Sequence, residues 1–158
     1  MATVKIGDII EIETAKGFFY AQYTHKDKTY GDLIQVTKNS FPERPGDLEE
    51  VISDDVGIIT FFPLNIAVRR KIFSVIGNRP VPEKRRQFPL FRVRGYIDRS
   101  GTVRQWKFWD GQKTWPEQWL TELTDKEMEL PIEGIWNDTL LIDRLETGWM
   151  PREYAGNH

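Results

Sequence analysis

Short runs of alternating apolar and polar residues fill the first sixty positions. Asp8-Ile9-Ile10-Glu11-Ile12-Glu13 alternates in the main, Lys16-Gly17 makes a turn, and Phe18-Phe19-Tyr20-Ala21-Gln22-Tyr23 returns. After a polar loop from Thr24 to Tyr30, Gly31-Asp32-Leu33-Ile34-Gln35-Val36 reads as a third strand. Residues 37 to 55 carry Pro42, Pro45, Gly46 and several acids and read as a loop. Val56 to Phe62 follows as a core strand. This succession resembles the start of an SH3-like barrel. The run from Ile66 to Ile76 fits a short helix or an interrupted strand, and Gly77 to Pro82 ends it either way.

Further along, Phe91 to Ile97 alternates and pairs with Val103 to Trp109 across a turn at Arg99-Ser100-Gly101, and Asp110-Gly111 supplies the next turn. Thr124 and Glu127 have capping-box spacing. Asn137 precedes a stretch in which Leu141 and Leu145 stand four apart, the stripe of a short helix, although a strand fits so short a run nearly as well. The expected fold is therefore α+β and predominantly β: a curled antiparallel sheet, with SH3-like closure as a subsidiary expectation, and one or two short helices. Residues 1–158 are expected to form a single domain.

Composition adds a compartment and removes some chemistry. The chain has 158 residues, 39% of them apolar, with six Trp, nine Phe and five Tyr, which suits an aromatic core or interface. Without cysteine there are no disulfides or thiolate metal sites. The first residues lack the apolar core of a signal peptide, and no apolar run reaches the ~20 residues of a membrane-spanning helix, so the cytoplasm is expected, with no membrane partner. The net charge of −2 hides a pattern. Residues 1–65 hold 6 Lys/Arg against 11 Asp/Glu (net −5), 66–107 hold 12 against 2 (net +10), and 108–158 hold 4 against 11 (net −7). The simplest account is a basic middle neutralised by acidic flanks within one fold, and the same numbers permit a positive face for an acidic partner.

Catalytic material is scarce. His158 is terminal, and His25 lies in a polar loop with no metal-ligand spacing or nucleophile elbow near it. Asp54, Asp55, Asp110, Asp138 and Asp143 could serve a carboxylate-dependent hydrolase. Yet Asp110 is explained by its turn and Asp138 by a helix start. No catalytic, cofactor or metal residue is assigned, and no enzyme activity or cofactor is expected. The arginines offer more. Arg92 and Arg94 share one strand face, Arg104 and Trp106 lie on the pairing strand, and Lys84-Arg85-Arg86 sits in a Pro-flanked loop. Their plain reading is a solvated sheet face. Their functional readings are Arg forks against a partner's carboxylates, or nucleic-acid binding by the basic middle segment. Trp106 and Trp109 have opposite strand parity, so one points inward. Trp115, Trp119 and Trp136 fall near turns or loops, and Trp149 fits a C-terminal clasp.

The chain resembles the immunity protein 26 family of bacterial polymorphic-toxin systems. The likeness rests on Lys5 to Ile12 with Gly17 to Gln22, on Ile76 to Pro82, on Phe88 to Arg92, and on Trp106 to Gly111. Leu130 to Trp136 completes it, with Leu141-Ile142 and Arg144-Leu145. The resemblance implies a protein that protects a bacterium by binding and occluding a cognate toxin domain, without catalysis and with no residue roles to transfer. Against the phosphate-binding groove of a nuclease, the contacts would be acidic: Asp47, Glu49, Glu50, Asp54 and Asp55, or the stretch from Asp125 to Glu129. Against an acidic toxin they would be Arg92, Arg94 and Arg104, with Trp106 beside them.

Overall fold

The computed structural model describes residues 3–154; His158 lies outside them. The backbone gathers into two compact units, Met1–Gln87 with Gly134–Trp149, and Phe88–Glu133 with Met150–His158.

In the first unit, β1 (Asp8–Thr14), β2 (Gly17–Asp27), β3 (Gly31–Thr37), β4 (Val56–Phe61) and β5 (Ser74–Asn78) form one antiparallel sheet in the order β4-β3-β2-β1-β5. The alternation along β1 to β3 sorts side chains to two faces. Ile10, Ile12, Phe19, Ala21, Ile34 and Val36 pack with Leu64 and Ala67 of α2 (Leu64–Arg69) and with Leu141 and Leu145 of α4 (Asp138–Thr147). Ile9 and Tyr20 pack with Val51 and Ile52 of α1 (Glu49–Ser53). Both faces of this sheet are thus covered.

The second cover also holds polar groups. Gln22 Nε2 donates to the Arg79 carbonyl at 3.0 Å, and Gln35 Nε2 to the Arg85 carbonyl at 3.2 Å. Arg85, in α3 (Glu83–Arg86), is 2% exposed. Its guanidinium donates to Gln22 Oε1 and to the carbonyls of Val51 and Asp54, so neutral acceptors at the end of α1 receive a cation that burial pushes below its ordinary pKa. Arg144 is clasped between Trp136 and Trp149, its guanidinium carbon 4.3 and 4.1 Å from the two ring centroids.

In the second unit, β6 (Phe91–Arg94), β7 (Trp106–Trp109) and β8 (Thr114–Leu120) make a separate antiparallel sheet in chain order. The outer edge of β6 is occupied: Arg92 N–H donates to the Pro131 carbonyl at 2.8 Å, and Glu133 N–H to the Arg92 carbonyl at 3.0 Å. Among the described residues nothing pairs with the outer edge of β8.

These features correct the expected fold. Four α-helices among the described residues accompany two open antiparallel sheets, so the architecture is mixed rather than a predominantly β, curled or barrel-like fold with one or two short helices, and it is not β-rich in the sense expected. Closure fails for a simple reason. A barrel joins its terminal strands, whereas β4 and β5 lie at opposite edges of their sheet, and β6 to β8 start a second sheet instead of extending the first. The extra helices come from tertiary packing. Five-residue α1 arises inside the stretch read as loop because Val51 and Ile52 bury against the sheet, a drive that outweighs weak local propensity. The ambiguous run from Ile66 to Ile76 contains both alternatives in sequence: α2, then a turn, then β5.

Candidate partner-binding site

The acidic candidates collect around α1. Asp47 Oδ1 accepts from Glu49 N–H at 2.9 Å, Asp54 accepts from the backbone and side-chain amides of Asn39, and Glu50 and Asp55 are exposed. Arg44, in the same loop, forks onto Glu11 of β1 at 2.8 and 2.9 Å, and Tyr20 Oη donates to that carboxylate at 2.9 Å. The Arg44 hydrogen bond chiefly holds Glu11 below the ordinary carboxylate range, against the opposing pull of burial. Glu49 reaches Arg79 at only 3.8 Å, an exposed contact of little energy. In the alternative acidic stretch, Thr124 and Glu127 exchange the reciprocal bonds of a capping box, 2.9 and 3.2 Å, before a 3-10 turn at Glu127–Glu129.

The arginine and tryptophan candidates divide by burial. Arg92 is 2% exposed. Its Nε donates to the Leu130 carbonyl at 3.1 Å and its Nη2 to the Pro151 carbonyl at 2.8 Å, while the guanidinium lies 4.7 Å from the Trp106 centroid. Burial pushes it below its ordinary pKa. Trp106 is buried beneath it, edge-on to Tyr154. Both are core groups. Arg94 is half-buried against Glu133 at 3.5 Å and the Tyr154 hydroxyl at 2.9 Å. Arg104 remains exposed, its Nε 2.6 Å from Asp98 Oδ2. Asp98 also accepts from Ser100 and Thr102 around the hairpin turn. Ser100, Arg104 and Thr102, in that order, hold it far below the ordinary carboxylate range.

Sequence reasoning passed over the neighbouring edge. Asp110 forms the expected turn, accepting from Gln112 and Lys113 N–H at 2.9 and 2.8 Å, and the chain returns as β8. Phe108 pairs with Trp115, but Trp106 pairs with Leu120, so the five steps from Trp115 to Leu120 face only two steps of β7. The strand bulges outward between them, and Pro116 supplies no N–H there. Trp115 lies against Phe108, ring centroids 6.1 Å apart. Trp119 lies under the Lys107 ammonium, 4.7 Å from its ring centroid. Phe108 and Lys107 are successive residues of β7 and point to opposite faces, so the two indoles fold back from β8 over opposite faces of the sheet.

Trp119 is also fixed in place. A Cβ on Gly95 would lie 2.7 Å from its ring, so only glycine admits the indole here, and Lys107 Nζ donates to the Glu117 carbonyl at 2.9 Å. Even so, Trp119 is 40% and Trp115 38% exposed, with Tyr96 at 60% and Ile97 at 44% in the same unit. The missed signal was Asp110-Gly111 itself: a hairpin turn demands a return strand, and proline within that strand marks it as an edge. Placing Trp115 and Trp119 near turns or loops concealed β8.

Asp54 and Asp110 are engaged as above, Asp138 opens α4 beside its Asn137 cap, and no group of three or more His, Cys, Asp or Glu among the described residues is placed to hold a metal ion. His25 bonds Thr24 Oγ1 and the Arg86 carbonyl. No helix among the described residues is long and apolar enough to cross a membrane. The chain matches no protein family, no curated protein and no solved structure.

Proposed function

We propose that this chain is a non-enzymatic immunity protein, one working domain in the cytoplasm, which neutralises a cognate toxin domain by stoichiometric binding. The observation that carries the reading is the open, bulged edge of β8, whose two large, part-exposed indoles lie on opposite faces of its sheet. Tryptophan and tyrosine dominate binding energy where they are rigid, and each central anchor contributes about 2 kcal/mol or more. The bulge and Pro116 disfavour addition of a partner's strand, so recognition runs through side chains. An edge with an anchor on each face of its sheet fits a cleft, which is where an occluding inhibitor must act. The resemblance to immunity protein 26 supplies the biological setting. Arg104 and the exposed part of Arg94 lie in the same unit and provide charge for specificity, whereas Arg92 and Trp106 support the sheet from within.

The test is protection. Co-expression with the C-terminal toxic domain of a polymorphic toxin encoded directly upstream should rescue growth, and Trp115→Ala/Trp119→Ala should abolish rescue while the protein stays folded. Full rescue by that folded variant would remove the β8 edge from the reading, and failure of the unaltered protein to rescue would remove the immunity assignment.

A further inference from the structure

Two helices in this molecule stop in the same way, with different residues at the decisive position. After α4, the chain turns through Gly148 at φ 69°. After α2, it turns through Lys71 at φ 60°, the one non-glycine residue with positive φ among those described. The α2 stop is a complete Schellman motif. Lys71 N–H donates to the Val68 carbonyl at 3.0 Å, and Ile72 N–H to the Ala67 carbonyl at 2.9 Å. Glycine takes this left-handed position without steric cost, and a long side chain does not. Beyond the modest pull of the helix dipole on a cation at its C-terminus, the fold gives no reason for lysine at 71.

Its neighbourhood does. Leu64 and Ala67 bury one side of α2. Ile66, Arg69 and Arg70, three and four residues apart, share the other side and are exposed. Ile72 is exposed as well, and Arg69, Arg70 and Lys71 have no carboxylate partner among the described residues. Three consecutive unpaired cations therefore stand between two exposed isoleucines. We propose that this corner is a docking surface for an acidic protein surface, and that Lys71 is kept there for its charge at a cost to stability. Aliphatic rather than aromatic neighbours disfavour nucleic acid, which uses rings for base stacking. Three cations fall below the cluster size that recruits anionic lipid, and a six-residue helix is too short to lie in a membrane interface. Carboxylates interleaved with apolar side chains match both components of the corner.

The test is independent of the β8 edge. A fluorescein-labelled peptide alternating glutamate and leucine is titrated into the whole protein, with affinity read by anisotropy and the contact mapped by amide chemical shifts. Shifts should centre on residues 66–72 and fade with added salt. Arg69→Gln/Arg70→Gln should weaken binding about tenfold with little change in Tm. Lys71→Gly should weaken it about threefold while raising Tm, a pairing that a purely structural lysine would not produce. Trp115→Ala/Trp119→Ala should leave peptide affinity unchanged. Phosphatidylserine vesicles or oligothymidylate shifting residues 66–72 when the peptide does not would overturn the proposal. So would an unaltered affinity or a lowered Tm in Lys71→Gly.

Discussion

The two units treat their sheets in opposite ways. In the first, helices cover both faces of five strands, and even polar Gln22, Gln35 and Arg85 are buried with partners. In the second, three strands bury Arg92 and Trp106 but leave β8 open, with two large indoles partly in solvent. Exposed aromatic surface is costly to solubility and is retained where a partner covers it. The contrast separates a sheet closed by helices on both faces from one that leaves an edge and aromatic surface exposed.

The sharpest way to break this contrast is paired truncation. Leu141, fully buried under the first sheet, should lose about 2–5 kcal/mol of unfolding free energy as Leu141→Ala. Trp119→Ala should lose less, about 1–2 kcal/mol, because 40% of the residue is already in water. Denaturant melts measure both, and equal losses would make Trp119 a core residue. Next in size, Arg92→Met should cost about 1–3 kcal/mol by stranding the Leu130 and Pro151 carbonyls. Arg104→Met, removing an exposed pair, should stay within about 0.5 kcal/mol. That difference would show that two arginines alike in sequence have different tasks, Arg92 inside β6 and Arg104 before β7 rather than on the strand expected.

Much of the first unit was legible because alternation and turn chemistry agree there: β1, β3 and β4 fall where the pattern put them. β2 instead runs on to Asp27 through residues read as loop, so that His25 is a strand residue paired with Leu33. Asn137 caps α4 through Leu140 N–H at 2.8 Å. Asn137→Ala should accordingly cost about 1 kcal/mol. What was not legible depended on contacts distant in sequence. Nothing local distinguishes α1 from loop, because Val51 and Ile52 become helical only against β1 and β2. Arg92 and Arg104 look alike in sequence, and only the carbonyls of Leu130 and Pro151 draw one of them inside. The openness of the sheets was hidden too, since strand runs do not encode which strands become edges.

The smallest effect sharpens the acidic side of the first unit. Glu11 has its pKa lowered in the folded state, chiefly by Arg44, so its contribution is present above the ordinary value of 4.5 and is lost as pH falls through the depressed folded value. Glu11→Gln should therefore lower Tm at neutral pH, with the gap to the unaltered protein closing in acid. A gap independent of pH would assign the loss to packing instead of charge.

The central claim is that the β8 edge binds a toxin domain one to one, and titration calorimetry with that domain tests it most directly. The unaltered protein should bind with a stoichiometry of one, and Trp115→Ala/Trp119→Ala should weaken binding at least about a hundredfold while still melting cooperatively. An unchanged affinity in that folded double variant would contradict the account.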